Sequence, residues 1–304
     1  MKSQDEGKAA SPKQATGRHP ERRGNRLLLY TAFILATLYS LYPIVAVALD
    51  GMDLNLAALF AGNQLVYIAG VPFHQGAWTF NPIAYVDALT FNAFPARVTN
   101  SLIIGGIAVS TALVVGIPVS YALARVDIKG KSVVSFVLLA LRTVSPFAVV
   151  VPLYIFFNQI GLWDTYPGVA LAELLLVLTV VVWMVKGFFA DIPKQIYEAA
   201  SMSGASEGQI FRRVALPMVI QGIVITAIFG FILVWNEYLI SVIMTGPFTK
   251  PVSVGVWSGL GATNKTPDFV ELEAAGTLAF IPAAIVMLAI RKYLAKGFSL
   301  GAAK

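Results

Sequence analysis

Hydrophobic positions along this chain come in long unbroken runs rather than in alternation. Six runs stand out, at about 27–49, 100–124, 133–157, 168–187, 218–245 and 273–293. Each is bounded by charges, prolines or a polar turn cluster. About 20 consecutive apolar residues wound as a helix cross the roughly 30 Å hydrocarbon layer of a bilayer. In lipid every backbone polar group needs a partner within the protein, so such runs are helices unless they close a barrel. Barrel strands alternate over about 10 residues, and these runs do not. The pattern therefore predicts an all-α membrane protein with six transmembrane helices.

The first run offers a small-residue sequence, AVALDG at 46–51, of the kind cleaved after a signal peptide. Its apolar part runs from Leu27 to Leu49, longer than the roughly 7–15 residues of a signal core. An uncleaved first span is expected. Residues 1–26 read as a disordered polar tail, and 296–304 as a short C-terminal tail, leaving 27–295 as the membrane domain. The outer loops fall at about 50–99, at NQIGLWDTYPG, and at about 246–272. No internal repeat is evident, which leaves room for pairing with a second copy or a related chain.

Composition sharpens the membrane reading. Only 12% of the 304 residues are charged, against about 25% in soluble domains, and the mean hydropathy is +0.74. There is no cysteine, which excludes disulfides and thiolate-ligated metal sites. The net charge of +6 is distributed as a topology signal. With the N-terminus inside, 18 of the 22 Lys and Arg residues fall on cytoplasmic segments and three on outer loops. The remaining one, Arg142, falls inside the third span. Positive residues stay inside, so both termini are expected in the cytoplasm and nucleic acid is not expected as a partner.

Polar groups inside spans are costly and so are functional candidates by default. Arg142 is a candidate for gating or for linking helices. Asn236 and Glu237, beside Trp235, are candidates for lining a substrate pathway or for bonding helices together. Glu173 lies about five residues from the outer end of its span and is expected to reach the interface. These groups are few and scattered. A channel filter would form a ring, and a proton-coupled carrier would carry a chain of buried acids with paired half-helices.

Enzyme chemistry is not assembled. His19 and His74 are far apart in the sequence, with no partner set. GKS at 130–132 resembles the end of a phosphate loop, but the glycine that motif needs would fall at Arg125. GFSLG at 297–301 matches a nucleophile elbow, yet both histidines lie upstream and three residues follow it. No catalytic or metal site is expected, and no cofactor in this chain.

One polar island interrupts the second half: FFADIPKQIYEAASMSGASEGQIFRRVALP, residues 188–217. Pro193 can begin a helix, and Gly204 can end it in the left-handed conformation. A second short helix, about 206–214, would lead to Leu216-Pro217 and the fifth span. The small side chains give a low-profile surface that can enter a groove, with Glu198 offering a carboxylate to a basic partner.

This island resembles the signature of permease subunits in binding-protein-dependent ABC importers. The matching residues are Glu198-Ala199-Ala200, Gly204, Val214 and Leu216-Pro217. Isoleucine is usual where Val214 stands, and an acidic residue often stands at Ser203. NSL at 100–102, YALAR at 121–125, RTVSP at 142–146, WNEYL at 235–239 and the tail KGFSLGAAK are similar to the carbohydrate branch, which includes the smaller maltose permease subunit. The resemblance covers about 27–304.

It implies a sugar-importing permease subunit in the cell membrane, itself not an enzyme. Its partners would be a second permease subunit, two ABC ATPase subunits that bind ATP and Mg, and an external solute-binding protein. The island, between the fourth and fifth spans, would be the coupling helix that seats in an ATPase. The loop 246–272 would touch the binding protein, and the tail 296–304 would reach the ATPase interface. A permease for a non-sugar solute and a secondary carrier remain alternatives.

Overall fold

The computed structural model describes residues 21–50, 52, 67–68, 71–72, 83–90, 94–127, 129–143, 145–258, 272–285 and 288. It divides into two compact units, Met1–Ala46 and Val47–Lys304. Nearly all described structure is helical. The exception is a two-residue antiparallel ladder in which β1 (Tyr67–Ile68) pairs with β2 (Val71–Pro72).

Helix α1 is Glu21–Asp50. It starts before the first apolar run, so residues 21–26 of the expected tail are helical. Its apolar side chains from Leu28 to Tyr42 are exposed, as a helix facing lipid requires. The tail residues 1–20 and 296–304 lie outside the described residues.

In the second unit, α2 (Ile83–Thr90) precedes α3 (Phe94–Arg125), the longest helix. The expected third span, 133–157, is two helices, α4 (Lys131–Thr143) and α5 (Pro146–Gln159). The break falls where Ser145 is extended, at φ −59° and ψ 129°, because proline forces the residue before it out of the helical region. Helix α6 (Tyr166–Asp191) is capped by Thr165, whose hydroxyl accepts the Gly168 N–H at 3.2 Å. Two short helices follow: α9 (Leu239–Met244), at the end of the expected fifth span, and α10 (Val252–Ser258), in the loop beyond it. Residues Leu272–Ile285 form α11.

Between α6 and α9 lie α7 (Lys194–Met202) and α8, which runs unbroken over Glu207–Trp235. The separate short helix expected at 206–214 is thus the first turns of α8. Pro217 has no N–H to continue the ladder. The turn before it widens into π-winding over Ile210–Ala215, with the Leu216 N–H reaching back to the Phe211 carbonyl.

Among the described residues, four helices are long and apolar enough to cross a membrane alone: Leu28–Leu49 within α1, α3, α6 and α8. In the second unit α6 is central, and α3 and α8 pack along it. Both present small residues at four-residue spacing: Ala108, Ala112, Gly116 and Ser120 on α3, and Gly222, Thr226 and Gly230 on α8. Small residues let backbones approach where lipid gives helices little hydrophobic reason to associate. A methyl group on Gly116 would sit 2.7 Å from Val181 Cγ1. The Ser120 hydroxyl adds a bond across the same contact, to the Val182 carbonyl at 3.1 Å.

Candidate functional site

The polar groups of the second unit gather at the two ends of the α3–α6–α8 bundle. At one end the island forms a compact platform. Pro193 sits at the N-cap of α7 with φ −57°. The helix closes at Gly204, which takes φ +79°. The Gly204 N–H donates to the Ser201 carbonyl at 2.9 Å, and the Ala205 N–H to the Ala200 carbonyl at 3.2 Å. That pair of bonds is the glycine-closed helix end in which a left-handed residue lets the chain reverse. Two residues past Gly204, the Ser206 N–H donates to Gln209 Oε1 at 2.9 Å and starts α8.

No residue of α7 is buried. Glu198, Ala199, Met202 and Gly204 are exposed; Ala200, Val214 and Leu216 are half-buried, and Pro217 is exposed. Ile196, Tyr197, Phe211 and Leu216 face inward onto the main core. A cleft of about 270 Å³ opens beside them, lined by Tyr121, Arg125, Lys194, Tyr197, Glu198 and Glu207 among others. Two cations and two carboxylates share it, so it is polar without strong net charge.

The last turn of α3 reaches across this end. Arg125 donates to the Phe189 carbonyl from Nε at 3.1 Å and from Nη2 at 2.7 Å. Nη2 also approaches the Ala190 carbonyl at 3.3 Å and the Ile192 carbonyl. The guanidinium lies over the Tyr197 ring, 4.3 Å from its centre. Burial pushes the Tyr197 phenol above its ordinary pKa, an effect that Arg125 partly opposes.

At the opposite end a second cluster ties loops to helix termini. The Asp164 carboxylate accepts the Gly246 and Thr249 N–H groups at 2.7 and 3.0 Å, the Thr249 hydroxyl at 2.6 Å and the Phe248 N–H at 3.2 Å. Burial raises its pKa, but the bond from Thr249 Oγ1 and the three backbone bonds outweigh this and hold it below the usual value. Asn100 Nδ2 donates to the Phe248 and Lys250 carbonyls at 3.1 and 3.0 Å, and the Tyr166 hydroxyl donates to Asn100 Oδ1 at 2.7 Å. The Ser101 hydroxyl accepts the Val252 N–H at 2.8 Å.

The intramembrane candidates separate. Trp235 is buried, and its indole N–H donates to the Ala279 carbonyl at 3.1 Å. Asn236 is exposed and bonds the Ile232 carbonyl at 2.8 Å, while Glu237 is half-buried and accepts the Ile240 N–H at 2.9 Å. All three therefore sit where α8 stops and α9 begins. Arg142 lies in α4, far along the chain from the other candidates, and its side chain is outside the described residues. Glu173 departs from expectation. It is fully buried rather than interfacial, and its Oε1 accepts the Ser241 hydroxyl at 2.8 Å. Distance from a helix end did not reveal that α9 folds back over it.

Sequence reasoning missed the roles of Tyr121, Arg125, Tyr197, Asn100, Ser101 and Asp164. YALAR and NSL carried part of the signal, as polar groups at the two termini of one apolar run. Asp164 gave none, because its partners are three backbone N–H groups and one hydroxyl some 80 residues away.

The bundle of apolar helices, with an exposed helical platform at one end, defines a multi-pass membrane protein. Residues 116–300 match the binding-protein-dependent transport system inner membrane component family, more than half of the chain, and the protein belongs to that family. It is therefore a cell-membrane transport subunit of an ABC importer rather than an enzyme. The chain is similar to the trehalose transport system permease protein of Mycobacterium tuberculosis, 31% identical over 69% of this chain and 77% of that one. It is also similar to the diacetylchitobiose uptake system permease protein of Streptomyces coelicolor, 29% identical over 74% of this chain and 84% of that one. The fold matches a chain of a bacterial ABC transporter involved in alginate import, with a TM-score of 0.67, 21% identity, and coverage of 92% of this chain and 99% of that one.

Proposed function

We propose that this chain forms half of the transmembrane pathway of an ABC importer for a mono- or oligosaccharide. An external binding protein delivers the solute, and two partner ATPase subunits, which hold ATP and Mg, drive its passage. A second permease subunit supplies the other half. The relatives named for trehalose and diacetylchitobiose uptake support a sugar as the solute.

The reading places six spans in the bilayer: α1, α3, α4 with α5, α6, α8 with α9, and α11. Both termini, with the tails 1–26 and 296–304, lie in the cytoplasm. Helix α7 then serves as the coupling helix. The observation that carries this role is its form: a nine-residue helix with no buried residue, projecting Glu198 and Ala199, and reversed at Gly204 so that α8 returns into the bundle. Ala200, Val214, Leu216 and Pro217 shape the return. Arg142 is assigned to gating or interhelix contact. Asn236 and Glu237 are assigned to the substrate pathway, with Trp235 holding α8 against α11 beside them.

The test is reconstitution of the purified complex with its binding protein in vesicles. Uptake of trehalose, maltose or diacetylchitobiose should require ATP and be blocked by vanadate. Uptake that ignores vanadate and collapses with the proton gradient points to a secondary carrier, and ATP-driven uptake of non-sugars only would reassign the solute. Gly204→Asp should strain the +79° turn and reduce uptake and ATPase retention together. If both stayed intact, α7 would not be the coupling helix.

A further inference from the structure

Helix α7 has no buried residue of its own, so whatever moves it must be passed on through few contacts. Beside its packing on the first turns of α8, α7 meets two successive turns of α3 through one ring, Tyr197, which contacts Arg125 and Tyr121. We infer that Arg125, the last residue of α3, is the positioning residue that fixes α7 to the membrane helices, so that displacement of α7 carries α3 and α6 with it. The inference rests on the coupling reading of α7 and adds the residue through which coupling passes.

Three features make Arg125 more than a helix cap. First, it satisfies carbonyls of Phe189, Ala190 and Ile192 at the end of α6, where a helix leaves its last carbonyls without intrahelical partners. Cations are favoured there by the helix dipole. Second, with its donors engaged at α6, the flat face of the same guanidinium is free to stack on Tyr197 of α7 at 4.3 Å. One rigid planar group thus joins three helices. Lysine, a point charge on a flexible stem, cannot do both. Third, Tyr121, one turn earlier, repeats the arrangement toward α8. Its hydroxyl donates to Glu207 Oε2 at 3.3 Å, and its ring meets Phe189 edge-on at 5.3 Å and Phe211 at 4.9 Å. The α6 end, α7 and the start of α8 are therefore all held by α3.

Such a group should govern how ATPase movement is converted into transport, not whether the subunits assemble. The experiment uses the full importer in vesicles and compares wild type with Arg125→Ala, Arg125→Lys, Tyr197→Leu and Tyr197→Phe. Measured are basal ATPase, binding-protein-stimulated ATPase, uptake per ATP and recovery of the ATPase subunits. Arg125→Ala should keep recovery and basal hydrolysis but lose about tenfold in stimulated hydrolysis and uptake, with Arg125→Lys rescuing only part. Tyr197→Leu should show the same split with the carbonyl bonds untouched, whereas Tyr197→Phe, which keeps the ring, should behave as wild type. The chain has no native cysteine, so spin labels at Asp127→Cys and Met202→Cys report the α3–α7 distance directly. Its distribution should broaden in Arg125→Ala.

If Arg125→Ala does not assemble, Tyr197→Leu decides. A Tyr197→Leu complex with wild-type stimulation, or with basal and stimulated rates falling in parallel, overturns the inference while wild-type uptake still upholds the permease reading. A wild-type complex without ATP-driven uptake overturns both.

Discussion

Asp164 shows how much one side chain can hold in a loop between helices. It occupies a left-handed backbone position, φ 55°, that aspartate tolerates better than most residues. From there its carboxylate gathers the 246–249 segment. Replacing it with alanine strips an acceptor from several donors, and Asp164→Ala should lower stability by about 2 kcal/mol in thermal unfolding of the purified protein. The pH dependence follows from the depressed pKa. The carboxylate contribution is fully present above the ordinary value of about 3.9 and is lost only as pH falls through the lower folded value. The gap between wild type and Asp164→Ala should therefore stay constant from pH 8 to pH 5. A gap that closes within that window would contradict the depressed pKa.

At the scale of elements, the bundle depends on missing side chains as much as on those present. Gly222 of α8 packs so closely that an added methyl would overlap the Phe188 ring of α6. Gly106 of α3 is exposed and meets nothing within 4 Å. Gly222→Val should cost about 1–3 kcal/mol through overpacking, and Gly106→Val should cost far less. Thermal melts of the two variants in the same detergent make the comparison. Equal melting temperatures would mean that α6 and α8 do not pack as described. The hydropathy pattern found these helices, but it did not distinguish the two glycines, since each stands among apolar neighbours in its own run.

Across the whole molecule the two polar ends should face opposite compartments. Met202 on α7 is 89% exposed and Phe248, in the loop held by Asp164, is 81% exposed. In this cysteine-free chain, Phe248→Cys should react with a membrane-impermeant maleimide on intact cells. Met202→Cys should react only after permeabilisation. The reverse labelling would invert the topology that the Lys and Arg distribution predicts. The same experiment bears on the proposed coupling role, which requires α7 to face the cytoplasm.

The sequence by itself determined the class of the protein and the position of its polar island. Those follow from local rules: long apolar runs must become helices in lipid, and proline and glycine mark where a helix stops. The Glu198–Pro217 spacing was legible for the same reason, since the whole motif lies within one short stretch of chain. Only the tertiary structure decided where helices break or continue, which placed one break at Ser145-Pro146 and kept α8 whole through Pro217. It alone buried Glu173 beneath Ser241 and brought Arg125 to the carbonyls of α6 and the ring of Tyr197. These are contacts between residues 64 to 72 positions apart. Their partners are chosen by how helices pack, and no local pattern encodes that.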